Sequence, residues 1–189
     1  MENEIVCGID EVGRGSWAGP VVAAAVVLPQ NFILDGLNDS KKISKKKREI
    51  LSRKILNSFD YGIGFSSSQE IDKFNILEAT FLAMRRAILN LKDLPDKALI
   101  DGNRYPKNFP VLAETVVKGD QKIPSISAAS IIAKVSRDEY MKRMSLIYPG
   151  YGWEKNFGYG VQQHFLSIKK LGISPIHRHS FKPIHNMLY

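Results

Sequence analysis

The sequence has little of what a secreted or membrane protein needs. Its one cysteine, Cys7, cannot form an intrachain disulfide, so a reducing compartment, the cytoplasm, is the expected location. The longest apolar stretch covers residues 21–28 and is far shorter than the roughly 20 residues that cross a bilayer. The acidic first residues do not resemble a signal peptide. We therefore expect a soluble chain without membrane contact.

Histidine is also scarce, and its distribution argues against a zinc site. Only four histidines occur, all at or after residue 164, and His177 and His179 stand on either side of Arg178. With a single cysteine, the sequence lacks the clustered sulfur and nitrogen ligands that zinc prefers. His177 and His179 either bind phosphate or pack in the core, and the sequence does not distinguish these roles.

Acidic residues are sparse in two stretches of a chain whose formal net charge is +8. Residues 35–58 carry eight Lys or Arg against three acids, and residues 161–189 carry four Lys or Arg and no acid. Basic excess gathered in patches indicates a polyanionic partner such as nucleic acid. A solvated helix face and a soluble tail would give the same pattern.

What is present fits one α/β domain over residues 1–189. The chain is 44% hydrophobic and 24% charged, which is typical of a globular domain. Apolar patterning predicts strands at 4–9, 21–28, 61–65, 97–100 and 115–118, helices at 44–59, 77–91, 125–144 and 161–171, and a loop at 148–160. The first helix is expected to bury five apolar side chains, Ile50, Leu51, Ile55, Leu56 and Phe59. This order of elements predicts an α/β sandwich.

Acidic residues follow three of the predicted strands. Asp10, Asp101 and Asp120 each stand at or just past the end of a strand, and Glu11 adjoins the first of them. Residues at such positions line a shared crevice in α/β sheets. Carboxylates brought together repel one another, and magnesium or manganese, which prefer oxygen ligands, would compensate the charge. The alternative is that these acids are unrelated surface residues at turns.

Short blocks of sequence surround these acids in a recognisable order. They are Gly-Ile-Asp-Glu-Val-Gly-Arg-Gly at 8–15, Asp-Ser-Lys-Lys at 39–42, Leu-Ile-Asp-Gly-Asn at 99–103, Lys-Gly-Asp at 118–120, Ser-Ala-Ala-Ser at 127–130, Gly-Tyr-Gly at 158–160 and Ser-Pro-Ile-His-Arg-His-Ser-Phe at 174–181. Together they resemble the type 2 ribonucleases H, and most closely the bacterial ribonuclease HII subgroup. One departure is Val161, where the family often has Thr.

The resemblance implies an RNase H-like fold. Its features are a central mixed five-stranded sheet flanked by helices and a short C-terminal helical extension, residues 145–189, that contacts substrate. The implied reaction is hydrolysis of the RNA strand of RNA·DNA hybrids, and cleavage 5′ to ribonucleotides embedded in duplex DNA, leaving 3′-hydroxyl and 5′-phosphate ends. Such an endonuclease is expected to act as a monomer in ribonucleotide excision repair.

The resemblance also implies that Asp10, Glu11, Asp101 and Asp120 are the catalytic residues and hold two divalent ions, Mg²⁺ or Mn²⁺. Asp10 is expected to bridge the ions because it lies on the central strand. Glu11 and Asp101 would then hold one ion and Asp120 the other. A nucleic-acid-binding module without catalysis is the second hypothesis, but acids where a polyanion must dock would weaken its binding.

Two glycine-flanked segments are candidates for substrate recognition. Gly13, Arg14 and Gly15 are expected to sense the 2′-hydroxyl through backbone groups, because glycine lets a backbone approach a ligand closely. A tight turn between two strands is a compatible alternative. Tyr159, with glycine on both sides, is expected to lie on a flexible, unhindered backbone and to stack on a sugar or base. The alternative for Tyr159 is a place in the core.

Basic residues supply the remaining candidates. Ser40 and Lys41 are expected to bind substrate phosphates, together with the basic run that ends at Arg48. A solvated helix face explains residues 45–47 equally well. Asp138 is interpreted as the partner of Arg137 in a surface ion pair.

Overall fold

The computed structural model describes residues 4–29, 32 and 43–188. Its centre is one sheet of five strands: β1 (Val6–Val12), β2 (Val21–Val27), β3 (Tyr61–Ser66), β4 (Lys97–Asp101) and β5 (Leu112–Val116). The strand order across the sheet is β3-β2-β1-β4-β5. β2 runs antiparallel to β1 and β3, whereas β1, β4 and β5 run parallel. The predicted mixed five-stranded sheet is confirmed.

Helices cover both faces of this sheet. α1 (Lys45–Ser58) and α4 (Pro124–Ile147) pack on one face, and α2 (Ser68–Phe74) leads into α3 (Ile76–Leu89), which packs on the other. The C-terminal helices are α5 (Trp153–Asn156), α6 (Gln162–Leu171) and α7 (Lys182–Leu188). In the part of the chain that the structure describes, no helix is long and apolar enough to cross a membrane.

The core has three parts. Two of them lie on opposite faces of the sheet, because each strand alternates its side chains between these faces. Cys7 and Ile9 of β1 pack towards α3, and Ala24 and Val26 of β2 pack towards α1 and α4. A third cluster lies in the C-terminal part and includes Ala18, Met141, Tyr151, Trp153, Ile168 and Ile184. This third cluster joins the connection between β1 and β2 to α4 and to the C-terminal helices.

Two glycines in β3 explain how α3 approaches the sheet so closely. A Cβ atom on Gly62 would lie 2.0 Å from the carbonyl oxygen of Ala87, and one on Gly64 would lie 2.0 Å from that of Ala83. Glycine lowers the strand propensity of this segment. The segment nevertheless pairs with β2 as a strand, and its glycines let α3 pack at a distance that no side chain would permit.

β1 differs from its prediction in a way that matters for the acids. The strand extends to Val12, so Asp10 and Glu11 lie inside it and not after its end. The extension follows from the pairing with β2, in which Asp10 faces Ala24 and Glu11 faces Ala23. Pairing with β2 therefore extends β1 beyond the apolar run at 4–9, from which its end was predicted.

Several other boundaries also differ from the prediction. β5 covers Leu112–Val116, and Asp120 lies in a short 3₁₀ turn, Gly119–Gln121, that follows it. The predicted loop at 148–160 contains α5, while α2 and α7 were not predicted. Helices of four to seven residues are too short to show a helical period, and α2 begins instead at a capping box of Ser67 and Glu70.

The inward face of α1 is narrower than predicted. Leu51 and Ile55 are buried, and Leu56 and Phe59 are partly buried against the same cluster. Ile50 is 47% exposed, so its predicted burial is wrong. A helix that lies on a sheet buries one stripe, and Ile50 lies just outside that stripe.

Candidate active site

The parallel pairing between β1 and β4 ends one residue before the acids. β1 pairs with β4 only as far as Ile9 and Ile100, while it continues beside β2 to Val12. Asp10 and Glu11 therefore stand on a strand whose β4 side has become open. Asp101 is the last residue of β4 and follows Ile100 directly. The carboxyl ends of parallel strands thus bring these acids to one edge, as is usual for sites in α/β sheets.

Asp10, Glu11 and Asp101 line one cavity of about 420 Å³. The rest of its wall comes mainly from α1 and α4, through Arg48, Ser130, Ile131 and Lys134. Asp10 is only 6% exposed, and one of its carboxylate oxygens accepts the N–H of Glu11 at 2.7 Å. The cavity therefore combines an acidic floor with two basic side chains.

Asp120 reaches this region through the turn that follows β5. It is 2% exposed and is not among the residues that line the cavity. Its neighbour Gly119 donates its N–H to Oδ1 of Asp101 at 2.7 Å, which holds the turn against the end of β4. The structure thus brings three of the four predicted acids to one cavity and connects the fourth to Asp101 through this hydrogen bond.

The acids disfavour one another's charge. Burial raises the pKa of Asp10 well above its usual range, and the nearby carboxylates of Glu11 and Asp101 raise it further, against a hydrogen bond from Ser130. Burial likewise raises the pKa of Glu11, an effect opposed by Arg14, whose guanidinium lies 3.3 Å from the Glu11 carboxylate. Such a group of acids is most stable as anions beside added positive charge.

The donor atoms at this edge are carboxylate oxygens, which suit Mg²⁺ or Mn²⁺. Among residues 4–29, 32 and 43–188, no three His, Cys, Asp or Glu side chains are arranged so that they could hold a metal ion by themselves. Magnesium does not require one, because it usually keeps several waters and binds one or two carboxylates plus substrate phosphates. The acids along the cavity wall therefore fit an ion that is held jointly by protein and substrate.

Lys134 supplies positive charge at the cavity. Its ammonium lies 2.7 Å from Oδ1 of Asp138, one turn further along α4. The interpretation of Asp138 as the surface partner of Arg137 is therefore wrong. Asp138 is largely buried and pairs with Lys134, while Arg137 is fully buried and donates to backbone carbonyls.

The segment Gly13-Arg14-Gly15 follows β1 directly and lies beside the acids. Arg14 and Gly15 are exposed, and Gly13 has a φ of +92°, a conformation that favours glycine. The carbonyls of Gly13 and Arg14 accept hydrogen bonds from Arg178 at 2.7 and 2.8 Å. Sequence reasoning did not select Arg178 for this role. The only signal was its position in the block at 174–181.

Tyr159 lies at the rim of the same region and is half-buried. Its ring centre is 5.8 Å from the Lys134 ammonium and 5.4 Å from the Arg137 guanidinium. The glycines beside it are tightly packed: a Cβ on Gly158 would lie 2.5 Å from the Ala18 carbonyl oxygen, and one on Gly160 would lie 2.1 Å from the Trp17 ring. The prediction of a flexible, unhindered backbone is therefore wrong, because both glycines serve close packing.

The residues before and within α1 that were predicted to bind phosphate lie in different places. Ser40 and Lys41 lie outside the described residues. The three lysines at 45–47 are exposed on the first turn of α1, and Arg48 reaches the cavity. The basic run that was predicted to meet phosphate thus ends beside the acids, at Arg48.

His177 packs in the core, whereas His179 is exposed. Nδ1 of His177 accepts the N–H of Ser174 at 2.8 Å, and its Nε2 lies 3.1 Å from Nε2 of His164. His164 Nδ1 in turn lies 3.0 Å from the carbonyl oxygen of Tyr159. This network requires both rings to be neutral. A second proton on Nδ1 of His177 would face the Ser174 N–H, and one on Nε2 of His164 would face the N–H of His177 Nε2.

The histidine pair predicts a loss of stability in acid. Burial, together with His164, lowers the pKa of His177 from 6.5 to about 3, and burial also lowers the pKa of His164. The unfolded chain therefore binds protons that the folded chain does not. The free energy of unfolding should fall as the pH is lowered from about 6.5 towards 3.

Chemical denaturation at a series of pH values measures this effect. His177→Gln should flatten the dependence in that window, while the exposed His179→Gln should leave it as in the parent. Equal slopes for the parent and His177→Gln would contradict the assignment of a neutral buried pair.

Solved structures of nucleases share this fold. The ribonuclease H2 from Pyrococcus horikoshii OT3 matches with a TM-score of 0.79 and 29% identity, covering 97% of this chain and 96% of that chain. The RNase HII of Archaeoglobus fulgidus, solved as a complex with PCNA, matches with a TM-score of 0.78 and 27% identity, covering 94% and 95%. The fold is that of the type 2 ribonucleases H.

Sequence comparison defines the family within this class. The family model described as Ribonuclease HII matches residues 7–184. Ribonuclease HII of Pelagibacter ubique (strain HTCC1062) is 52% identical over 187 residues, 98% of this chain and 100% of the relative. That of Jannaschia sp. (strain CCS1) is 52% identical over 184 residues, 97% and 92%.

The chain belongs to the ribonuclease HII family. It is an endoribonuclease, a hydrolase that acts on the RNA of RNA·DNA hybrids. The interpretation of the sequence as that of a nuclease is thus confirmed.

Proposed function

We propose that the cavity of Asp10, Glu11 and Asp101 is the place of hydrolysis, both in RNA·DNA hybrids and 5′ to single ribonucleotides in duplex DNA. The products carry 3′-hydroxyl and 5′-phosphate ends. The observation that supports this most directly is the meeting of three acids at the open end of parallel strands, beside Arg48 and Lys134. In a chain of net charge +8, acids at this one point fit a metal-assisted reaction on a polyanion.

Asp10, Glu11, Asp101 and Asp120 would hold two divalent ions, Mg²⁺ or Mn²⁺. Asp10 would contribute to both ions, Glu11 and Asp101 to one of them and Asp120 to the other. Such a pair activates a water and stabilises the leaving oxygen of an in-line displacement. Burial, together with repulsion from the neighbouring acids, raises the pKa of Asp10, and this cost of the charged form is the local reason for the site to take up cations.

The substrate is positioned by groups around the cavity. The backbone of Gly13, Arg14 and Gly15 lies beside the acids and would meet the 2′-hydroxyl, the group that distinguishes RNA from DNA. Tyr159 would lie against the sugar or base, with its ring already oriented by Lys134 and Arg137. Ser40 and Lys41 remain proposed phosphate contacts.

We further propose that residues 1–189 act as a single catalytic domain, with 145–189 as the extension that contacts substrate. The acids, the 13–15 segment and Tyr159 lie near one another within a single chain, which supports this proposal. A monomer in the cytoplasm, acting in ribonucleotide excision repair, is the corresponding biological role.

Mapping the products tests the reaction. A labelled DNA duplex with one ribonucleotide, an RNA·DNA hybrid and an all-DNA duplex are incubated with the protein and Mg²⁺. We expect cleavage of the first on the 5′ side of the ribonucleotide, cleavage of the hybrid at several positions, and no cleavage of DNA. Cleavage of the hybrid alone would contradict the proposed action on single ribonucleotides.

Salt should weaken substrate binding steeply, because lysine and arginine side chains that bind phosphates release counterions. Replacing the lysines at positions 45–47 together by Ala should flatten the slope of log affinity against log salt, by up to about 0.9 for each phosphate that is no longer neutralised. Lys92→Ala is the matched control, since this exposed lysine precedes β4 at the opposite end of the sheet. An unchanged slope in the triple variant would show that this turn of α1 is only a solvated face.

A further inference from the structure

Two arginines are fully buried between the 13–20 connection and the C-terminal part. Arg137 lies on α4 and Arg178 lies between α6 and α7, and each is 0% exposed. Burial and the neighbouring Arg137 lower the pKa of Arg178 to about 9, which leaves it charged at neutral pH. A buried charge is costly unless it is fully hydrogen-bonded. The groups that accept hydrogen bonds from these guanidinium groups therefore indicate the structural role of the two arginines.

Arg178 binds three backbone carbonyls. Its Nη2 donates to Gly13 at 2.7 Å, its Nη1 to Arg14 at 2.8 Å and its Nε to Gly19 at 2.9 Å. These carbonyls lie at the beginning and the end of the connection between β1 and β2. One planar guanidinium therefore closes that connection into a fixed loop.

Arg137 continues the same pattern towards Tyr159. It donates to the carbonyls of Pro20 at 2.9 Å, Ala18 at 3.0 Å and Phe157 at 2.9 Å. Its guanidinium also lies 5.4 Å from the Tyr159 ring centre. The two arginines thus connect both recognition segments, and all six of these hydrogen bonds end on backbone oxygens.

The orientation of the peptide groups follows from these bonds. In a planar trans peptide the carbonyl and the following N–H point in opposite directions. The carbonyls of Gly13 and Arg14 point inward to Arg178, so the N–H groups of Arg14 and Gly15 point away from it. Both of these residues are exposed. Two backbone donors are therefore directed at solvent beside the acids.

We propose that Arg178, supported by Arg137, is a positioning residue for ribose recognition: it directs the N–H groups of Arg14 and Gly15 at the 2′-hydroxyl oxygen of the substrate. This inference rests on the proposed function of the 13–15 segment and adds the device that holds it. Arg178 itself is buried and does not touch substrate.

The geometry requires guanidinium groups and glycine. A lysine ammonium donates from one point and cannot reach three separated carbonyls in one plane. The position of Gly13 is equally constrained, because a Cβ there would lie 2.2 Å from Nε of Arg137. Arg178→Lys and Gly13→Ala should therefore disturb the same loop by different means, the first without a change of charge.

Binding discrimination tests the proposal directly. In an Asp10→Asn background, which prevents cleavage, the Kd is measured with Mg²⁺ for a duplex containing one ribonucleotide and for the all-DNA duplex of the same sequence. Arg178→Lys should lower the ratio of the all-DNA Kd to the ribonucleotide-duplex Kd by up to about tenfold, the effect of losing one well-placed hydrogen bond. The Kd for all-DNA duplex should stay within about twofold, because charge is kept and the residues that bind phosphate are untouched.

Arg86→Lys is the matched control. Arg86 also holds a backbone carbonyl, that of Phe65, and pairs with Glu70 at 2.7 Å, but it lies on α3 outside the recognition segments. It should lower the thermal midpoint and leave the Kd ratio unchanged. Gly13→Ala, which retains both arginines, is measured in parallel and should reduce the ratio as Arg178→Lys does.

The outcomes separate the inference from the function on which it rests. If the Asp10→Asn parent binds both duplexes equally, ribose reading by this surface is wrong. If the parent discriminates and Arg178→Lys or Gly13→Ala keeps the full ratio, the positioning role alone is overturned. If one of these two variants does not fold, the Kd ratio of the other decides the question, because each substitution by itself disturbs the loop.

Discussion

Asp10→Asn should abolish cleavage while substrate binding stays near normal or becomes tighter. Asp10 is buried at the point where β1 parts from β4, its charge is disfavoured by Glu11 and Asp101, and it is the acid that would contribute to both ions. Loss of such a ligand should lower the single-turnover rate by at least about a thousandfold, or about 4 kcal/mol in the barrier. Removal of a negative charge favours binding of a polyanion.

The control for this variant is Asp93→Asn, which removes the same charge from an exposed position before β4. It should cut at the rate of the parent protein. Cleavage by Asp10→Asn at a rate close to that of the parent would show that the metal site is wrongly assigned.

Tyr159→Ala should lower cleavage at an isolated ribonucleotide by roughly tenfold to a hundredfold, because stacking on a sugar or base is worth about 1–3 kcal/mol. A long hybrid offers many registers and further contacts, so its cleavage should depend less on one ring. The half-buried ring lies near Lys134 and Arg137, on a backbone whose flanking glycines are tightly packed. Tyr159→Phe keeps the ring and should behave almost as the parent does.

The competing role for Tyr159 is structural. In that case Tyr159→Ala would cost several kcal/mol of stability and reduce cleavage of both substrates alike. Measuring the thermal midpoint beside both rates distinguishes the roles. Equal losses on the two substrates, together with a large drop in Tm, would refute the recognition role.

Most of the fold could be predicted because its signals are local. The buried strand β2 is a continuous apolar run, and α3 shows a regular apolar stripe from residue 76 onwards. The true ends of β1 and β5 were harder to predict, because each end depends on pairing with a strand that lies elsewhere in the sequence. Gly62 and Gly64 lower the strand propensity of β3, so the local sequence predicted this strand only weakly. The close packing of α3 explains why glycine stands at both positions.

The meeting of Asp10, Glu11 and Asp101 could be predicted because carboxylates that follow apolar runs are visible in the sequence, and the resemblance to a known family supplied the roles that we propose for them. The buried arginines could not. Arg137 is fully buried, yet it stands beside Asp138 in a helix with Lys134 nearby, which is typical of a charged surface. Five of the six hydrogen bonds that Arg137 and Arg178 donate join residues more than 100 positions apart, and no local pattern predicts such contacts.

The most direct test of the central claim, a metal-dependent nuclease site at the Asp10 cavity, is a metal titration of the whole protein. Metal is removed with a chelator, and cleavage of a labelled duplex with one ribonucleotide is followed as Mg²⁺ or Mn²⁺ is added back. We expect no cleavage without metal, recovery with either ion, and no recovery at any concentration for Asp10→Asn. Full activity of the chelated protein, or full recovery of the variant, would contradict a metal-dependent site at Asp10.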